Sequence, residues 1–352
     1  MTTRNTAVAE RRAWGPEPRG LWLRSPEWDL GFLTFSGALV VLPLMLYELA
    51  GNSAIFVNLF IAGVIGGPHM YATFFRTALD PAFRTRHPAV VWSSLFIPAA
   101  VVLLALWHFQ LLLTLFFFWA SLHVLHQIAY LMECYQRKQP TPQPRWARLV
   151  DYAVVFSSLY PFATYKFIHD QFYIGHTPLL YPEALKTPLV FYAISGVFAV
   201  ALVLFLGKTA VEIWRGTAHY PKILLILTTV VLAFVVTSFS GRRLEIAFQG
   251  FNTWHSFQYL ALTWYLTRLR LVQGPLPVPG LQGLEKRGFA YFYGLNLGLT
   301  VGALVLIGVL VGLSGLPFER SYYIVVLSFL LVHYYHDHIL FTEYDALARP
   351  TA

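Results

Sequence analysis

The residues of this sequence best suited to chemistry are histidines that lie inside long apolar runs. The clearest stretch is His333-Tyr334-Tyr335-His336-Asp337-His338, within the apolar run from Tyr322 to Phe341. Ionisable groups at membrane depth are costly, usually face a protein interior and mark a site. Imidazole is the commonest protein ligand of transition metals. We therefore expect a metal site inside the membrane, with further ligands supplied by other segments.

Three other apolar segments carry histidines at a similar depth. His69 follows Gly66-Gly67-Pro68, which we expect to kink its helix and allow a close approach. A second His-x-x-His pair and a lone histidine occur later, so the predicted metal ligands are His69, His123, His126, His255, His333 and His336. Predicted catalytic residues, which orient or bridge the metal, are Asp337 and Glu133. Predicted hydrogen-bond partners of the ligand imidazoles are Gln127, Asn252 and Gln258.

The spacing has a weak internal symmetry, because each half of the chain offers one histidine and then a pair two spans later. Membrane folds often contain such repeats, with the site at their interface. The pattern suggests two sets of three histidines, His69/His123/His126 and His255/His333/His336. Six histidines serving one metal, with two left over, is equally compatible with the spacing.

Composition places the chain among polytopic membrane proteins, because 57% of its 352 residues are hydrophobic and only 12% are charged. The single cysteine, Cys134, excludes an internal disulfide framework and cysteine-based zinc or iron–sulfur sites. The basic residues behind the net charge of +8 lie in short loops between apolar runs. Orientation in the membrane explains this placement better than binding of nucleic acid does. We therefore expect no nucleic-acid partner.

The apolar runs predict an all-α fold with ten transmembrane helices. The predicted spans are residues 29–50, 54–76, 89–107, 110–134, 148–167, 187–207, 221–239, 247–267, 289–313 and 321–343. With the N-terminus inside, cytoplasmic segments hold 20 of the 25 Lys and Arg residues, which favours cytoplasmic N- and C-termini. We expect a basic tail (1–27), one membrane domain (28–345) and a short C-terminal tail (346–352), in a bacterial inner membrane.

The ligand types restrict which metals and which reactions are expected. Nitrogen-rich, sulfur-free sites suit iron, copper or zinc. The His-Glu-x-x-His string of zinc hydrolases and the phosphate-binding G-x-x-x-x-G-K-[ST] string are both absent. A multi-histidine site inside the bilayer favours redox chemistry on molecules that partition into lipid. We expect one or two iron ions that activate dioxygen on a lipid or isoprenoid substrate.

Two families share parts of this pattern. His-x-x-His-Gln at 123–127 and His-x-x-His-Asp-His at 333–338 resemble the histidine boxes of membrane fatty-acid desaturases and hydroxylases, which are non-haem di-iron enzymes. The chain also resembles, more loosely, the Brp/Blh-type carotenoid dioxygenases of bacteria, which are polytopic and carry a Pro-His inside a helix, as at Pro68-His69. These resemblances imply iron on the six histidines.

The sequence departs from both families. It has no His-x-x-x-His box and no adjacent histidines, and its ten predicted spans exceed the usual desaturase core. The paired histidine motif of the carotenoid enzymes is spaced differently. The resemblances therefore leave the substrate open.

Three other functions fit the same residues. Histidines on facing helices are typical of haem-binding electron carriers, and intramembrane histidines with Asp337 and Glu133 are typical of proton or metal transporters. The third alternative is a structural membrane protein without metal, in which histidines bond neighbouring helices. For the oxygenase, membrane lipids would be neighbours, and any electron donor would be a separate protein.

Overall fold

The computed structural model describes residues 20–139, 142–271 and 284–344, apart from the side chains of residues 285 and 286. It is 81% helical. Within these ranges the sheet is limited to one hairpin, in which β1 (Tyr173–Ile174) pairs antiparallel with β2 (Thr177–Pro178). The predicted all-α class is therefore confirmed. Most of the predicted basic tail and all of the C-terminal tail lie outside the described residues.

Twelve helices make up most of the described chain, and the hairpin lies in the long connection between α7 and α8. In order they are α1 (Pro26–Leu49), α2 (Ala54–Phe75), α3 (Pro81–Arg86), α4 (Pro88–Trp107), α5 (Phe109–Gln136), α6 (Arg145–Ser157), α7 (Tyr160–Ile168), α8 (Pro188–Trp214), α9 (Tyr220–Thr237), α10 (Arg242–Leu271), α11 (Leu284–Ser314) and α12 (Phe318–Leu340). Several ends are capped in the expected way. Ser53, for example, accepts a hydrogen bond from the backbone N–H of Phe56 at the start of α2.

Eight helices of the described chain are long and apolar enough to cross a membrane, namely α1, α2, α4, α5, α8, α9, α11 and α12. Each coincides with a predicted span. The remaining two predicted spans are also helical but fall outside this set. Residues 148–167 are divided between α6 and α7 at Ser158 and Leu159, and α10 carries many polar side chains.

The polar helix α10 lies at the centre of the bundle, in contact with α1, α2, α5, α9 and α11. Gly250 allows this position, because a Cβ there would lie 2.2 Å from the backbone oxygen of Val40 on α1. Trp254 is fully buried one turn further along. Since protein surrounds α10, its polar groups meet helix neighbours rather than lipid.

The peripheral helices have the opposite character. In α4 and in α8, the most apolar 18-residue window is only 17% buried inside the protein. In α11 the corresponding window is 11% buried. Their surfaces present large aliphatic side chains such as Leu189, Val203 and Leu313. Extensive exposed apolar surface of this kind is what a bilayer stabilises and water does not. The chain therefore has the features of an integral membrane protein.

Candidate metal centre

Four histidines from four different helices form a closed ring in the bundle core. His69 on α2 lies between His333 on α12 and His255 on α10, with ring centres 4.8 and 5.3 Å away. On the opposite side, His123 on α5 lies 4.9 Å from both His255 and His333. All four side chains are buried. The fold thus brings together one histidine from each of the four predicted segments.

The backbone before His69 is irregular, as predicted from Gly66-Gly67-Pro68. A π-helical turn at Ala62–Gly66 precedes the short α-helical segment Gly67–Ala72. Gly67 is required by packing, because a Cβ there would lie 2.4 Å from the side chain of Thr300 on α11. The carbonyl of Gly66, the last residue of this turn, accepts a hydrogen bond from His69.

Three buried histidines are oriented by oxygen atoms at Nδ1. The Nδ1–H of His69 donates to the Gly66 carbonyl, and that of His333 donates to the hydroxyl of Thr73. His336 Nδ1 lies 2.9 Å from Thr77 Oγ1, whose own hydrogen is directed to the Thr73 carbonyl. Each ring is therefore protonated on Nδ1, which leaves the Nε2 lone pair free. This is the tautomer that a metal ligand needs.

The free nitrogen atoms have no protein partner in the described part of the chain. Nε2 of His69, His123 and His333 is buried without a hydrogen bond, and so are both ring nitrogens of His255. Oδ2 of Asp337 is also buried and unpaired. Because buried polar atoms are nearly always paired, such a convergent set needs a positive charge or a bound ion.

Asp337 lies beside this ring. Its Oδ2 is 3.8 Å from His123 Nε2 and 3.6 Å from His333 Nδ1. Its Oδ1 accepts hydrogen bonds from the hydroxyls of Tyr259, at 2.6 Å, and Thr73, at 3.1 Å. These two hydroxyls hold the carboxylate so that its other oxygen faces the imidazoles.

The dimensions fit one ion. Ligand atoms of His69, His255 and His333 lie within 4.8 Å of one another, as do those of His123, His333 and Asp337. Imidazoles bound to one metal at about 2.1 Å have ring centres about 4.5 Å apart at right angles and about 5.2 Å apart in a tetrahedral site. The observed spacings of 4.8 to 5.3 Å match this range. The spacing of the four imidazoles therefore fits a single metal with nitrogen ligands, and Asp337 belongs to a second, overlapping group with His123 and His333.

The second member of each His-x-x-His pair lies outside the ring, contrary to the prediction of six ligands. His126 is half-buried and faces His338, with ring centres 5.2 Å apart. His336 is buried between Phe74 and Phe83, each 6.0 Å away. Residues three apart on a helix differ in direction by about 60°, so only one of each pair faces the centre. The four ring histidines, taken one from each segment, do not follow the suggested division into two sets of three.

The structure does not bring Glu133 to the histidine ring. It is ten residues beyond His123 on α5, about 15 Å along the helix axis. Its carboxylate accepts hydrogen bonds from Arg148, at 2.6 Å, and Tyr152, at 2.8 Å. This ion pair joins α5 to α6.

The predicted amide partners do not hydrogen-bond the imidazole rings. Gln127 donates to the backbone carbonyl of His255, at 3.3 Å, and to the side chain of Gln258, at 3.0 Å. Gln258 donates in turn to the carbonyl of Leu33 on α1. Asn252 acts indirectly, because it accepts from Ser256, whose hydroxyl lies 2.9 Å from His69 Nδ1. These amides join helices rather than orient ligands.

Hydroxyl groups fill the role that the sequence analysis assigned to amides. Thr73, Thr77 and Ser256 contact His333, His336 and His69, respectively. A signal existed for Thr73, because it follows His69 by four residues on the same helix, whereas Thr77 lies in the turn after α2. Hydroxyl side chains also bond the backbone within their own helix, which hides such roles in the sequence.

A cavity of about 220 Å³ opens beside the ring. His69 and His255 line one end, Phe117 and Phe248 lie along its wall, and Glu245 lies at the far end. An apolar cavity of about 150 Å³ is already enough for a benzene-sized molecule. The candidate centre therefore has room for a lipophilic molecule next to two of its histidines.

No family model, curated protein or solved structure matches the chain. The resemblance to histidine-box enzymes stays a prediction.

Proposed function

We propose that this protein is an integral membrane oxidoreductase that uses histidine-bound iron to activate dioxygen for attack on a lipid or isoprenoid chain. The observation that carries the proposal is the ring of His69, His123, His255 and His333, whose Nε2 atoms are buried and unpaired. Iron with an open coordination position would supply the dioxygen chemistry. Copper and zinc suit the same nitrogen ligands.

The protein's own groups would hold the reactants and exclude water. Asp337 is held by Tyr259 and Thr73 beside the ring and would balance the charge of the metal. Tyr334 stacks on His123, with ring centres 4.1 Å apart, and covers its face. The aromatic cavity next to His69 and His255 would receive an apolar chain.

We further propose ten membrane spans with both termini in the cytoplasm. In this topology α10 crosses as a buried polar span, and α6 and α7 together form a broken one. The four-to-one bias of Lys and Arg supports it. A bacterial inner membrane is the proposed location, with membrane lipids as neighbours and a separate protein as any electron donor.

A haem fits the ring poorly. A haem with two axial histidines needs an open slot between facing imidazoles. Here each of the four rings has two neighbouring rings within 5.3 Å, so the macrocycle would have no room between them. We therefore place the haem protein behind the non-haem enzyme.

Transport of protons or metal ions is the second candidate, because hydrogen bonds run from the centre toward the far end of the cavity. They join His69 to Ser256, Asn252, Gln249, Asn58 and Glu245 in turn. Uptake of iron or a pH change in proteoliposomes that is lost in Asn252→Leu would favour this function. Amide side chains exchange protons poorly, so we place it second.

The test combines metal analysis with lipid profiling. Protein purified in detergent without chelators should contain one iron per chain and no Soret band. Membranes of expressing cells should contain oxidised lipid species that are absent from cells expressing His255→Ala at equal level. A Soret band, or identical lipid profiles with fully metal-loaded wild-type protein, would contradict the proposal.

A further inference from the structure

Apart from the histidines at the ring, the strongly polar side chains that line the cavity lie on α10 and α2, toward the end away from the ring. Its wall is formed mainly by aromatic and aliphatic side chains, including Phe117, Phe248 and Leu327. Near its far end α10 contributes Glu245 and Gln249, and α2 contributes Asn58. Such a distribution matches a ligand with a long apolar body and one polar end.

The polar groups at the far end are ordered by one another. Gln249 donates to Asn58 at 2.8 Å, and Asn58 donates to Glu245 at 3.4 Å. On the side toward His69, Asn252 donates to Gln249 and Ser256 donates to Asn252. The hydroxyl of Ser256 lies 2.9 Å from His69 Nδ1. The row of donors therefore ends on the carboxylate of Glu245, and this end of the cavity is rich in acceptor oxygens.

The chemistry of this end discriminates among polar groups. A hydroxyl can donate to the Glu245 carboxylate and accept from the second N–H of an amide such as Gln249. A fatty carboxylate would bring a second negative charge next to Glu245 in a water-poor cavity, which is unfavourable. A hydrocarbon without a polar group would leave these acceptors without a ligand partner.

The length of the cavity is fixed by α10. Glu245 and His255 are ten residues apart on this helix, which corresponds to about 15 Å. This distance spans roughly a dozen carbon–carbon bonds of an extended chain. Leu304 on α11 lines the cavity and is also 37% exposed on the lipid-facing surface, so the cavity borders the bilayer from which such a chain would come.

We propose that this cavity binds an uncharged long-chain alcohol, with its hydroxyl at Glu245 and Gln249 and its chain directed to His255. The inference rests on the proposed function only in naming the alcohol as substrate, because binding itself requires no metal. The bound position of the hydroxyl would then determine which carbon of the chain lies beside the histidine ring.

The experiment measures retention of tritium-labelled 1-dodecanol by metal-free protein in nanodiscs, with empty nanodiscs as the blank. Unlabelled 1-dodecanol should compete at least five- to tenfold better than dodecane or dodecanoate, as expected for one or two hydrogen bonds. 1-Hexanol, which is too short to span the cavity, should compete more weakly. Equal competition by dodecane, or stronger competition by dodecanoate, would overturn the proposal.

Two variants localise the site. Gln249→Leu should weaken dodecanol binding about five- to tenfold and leave dodecane unchanged. The matched control is Gln110→Leu, since Gln110 is half-buried and donates to the carbonyl of Pro178 outside the cavity. If Gln249→Leu fails to fold, Glu245→Gln preserves shape and should reduce the preference for alcohol over carboxylate. Unchanged preferences in a folded variant would place the alcohol elsewhere.

The same assay separates this inference from the proposed function. Selective alcohol binding by protein that never takes up metal would support the cavity and refute the oxygenase. Metal-loaded, active protein without alcohol preference would refute the cavity assignment alone.

Discussion

Nε2 of His123 on α5 lies 3.8 Å from Oδ2 of Asp337 on α12, and neither atom has a hydrogen-bond partner in the described part of the chain. The two helices thus present an imidazole and a carboxylate to the same point in the bundle core. His69 and His255 complete the surroundings from α2 and α10. This convergence distinguishes the centre from isolated histidines that bond neighbouring helices.

Alanine substitutions should separate the two members of each histidine pair. His123→Ala and His333→Ala should lose bound metal, because each removes an unpaired Nε2 from the ring. His126→Ala and His336→Ala are the matched controls on the same helices and should keep it. The measurement is metal content by mass spectrometry on folded, purified protein. Loss of metal in the controls alone would place the centre on the other side of α5 and α12.

Removing the hydroxyl of Thr73 should weaken metal binding. This hydroxyl contacts His333, Asp337 and Tyr259 at once. Partners that orient metal ligands typically contribute 10- to 100-fold in affinity, so Thr73→Val should raise the dissociation constant by about that factor. Thr77→Val, which touches only His336 among the histidines, should bind like wild type. A competition titration with a chromophoric chelator measures both, and equal affinities for all three proteins would contradict the assigned role.

Asp151 should be essential for stability. Its two oxygens pair with Lys208, at 2.5 Å, and Lys222, at 2.9 Å, and both lysine side chains are 2% exposed. Asp151→Asn would leave the buried ammonium of Lys222 without a carboxylate partner and that of Lys208 with only Glu212, 3.5 Å away, at a cost of about 3–5 kcal/mol. We expect a fall in Tm of roughly 10 °C in detergent.

The control for this prediction is Asp170→Asn, because Asp170 pairs with Lys186 but is 71% exposed. An exposed pair contributes little, so its Tm should stay close to that of wild type. Equal Tm values for Asp151→Asn and wild type would show that the buried network is not stabilising.

His219 should make stability depend on pH. It precedes α9, accepts a hydrogen bond from the backbone N–H of Lys222 and packs against Tyr135. Burial, followed by the nearby charge of Lys222, lowers its pKa to about 4. Since the unfolded pKa is about 6.5, the unfolded state binds more protons between these values, and stability falls as pH drops from 6.5 to 4. The loss approaches about 3 kcal/mol at the low end.

Asn at position 219 keeps a cap acceptor but cannot titrate. The difference in Tm between wild type and His219→Asn should therefore shrink or reverse as pH is lowered from 7 to 4. A difference that is independent of pH would show that His219 titrates normally.

The helices, and the four histidine-bearing segments that meet in the bundle core, could be predicted from the sequence. The length of an apolar run and the depth of a histidine within it are local properties. It could not choose between His123 and His126, or between His333 and His336. Both members of a pair lie on one broad helix face, and only the crossing of the helices determines which member points inward. Glu133 was grouped with the histidines by helix face, but the ten residues between it and His123 correspond to about 15 Å along α5.

The remaining errors concern hydrogen bonds. Gln127 and Gln258 were expected to orient imidazoles, but each contacts a backbone carbonyl of a neighbouring helix instead. These carbonyls, of His255 on α10 and Leu33 on α1, are distant in sequence from the amides, so no local pattern could indicate them. The cavity is likewise assembled from α2, α5, α10, α11 and α12 and is invisible to the sequence of any one helix.

The measurement that tests the central claim most directly is X-ray absorption at the metal edge of purified wild-type protein, because it counts the imidazoles bound to the metal. The account predicts one metal per chain with four imidazole ligands and at least one oxygen. Folded protein that binds no metal after reconstitution with iron, copper and zinc in turn would contradict it. So would a bound metal with one imidazole or none.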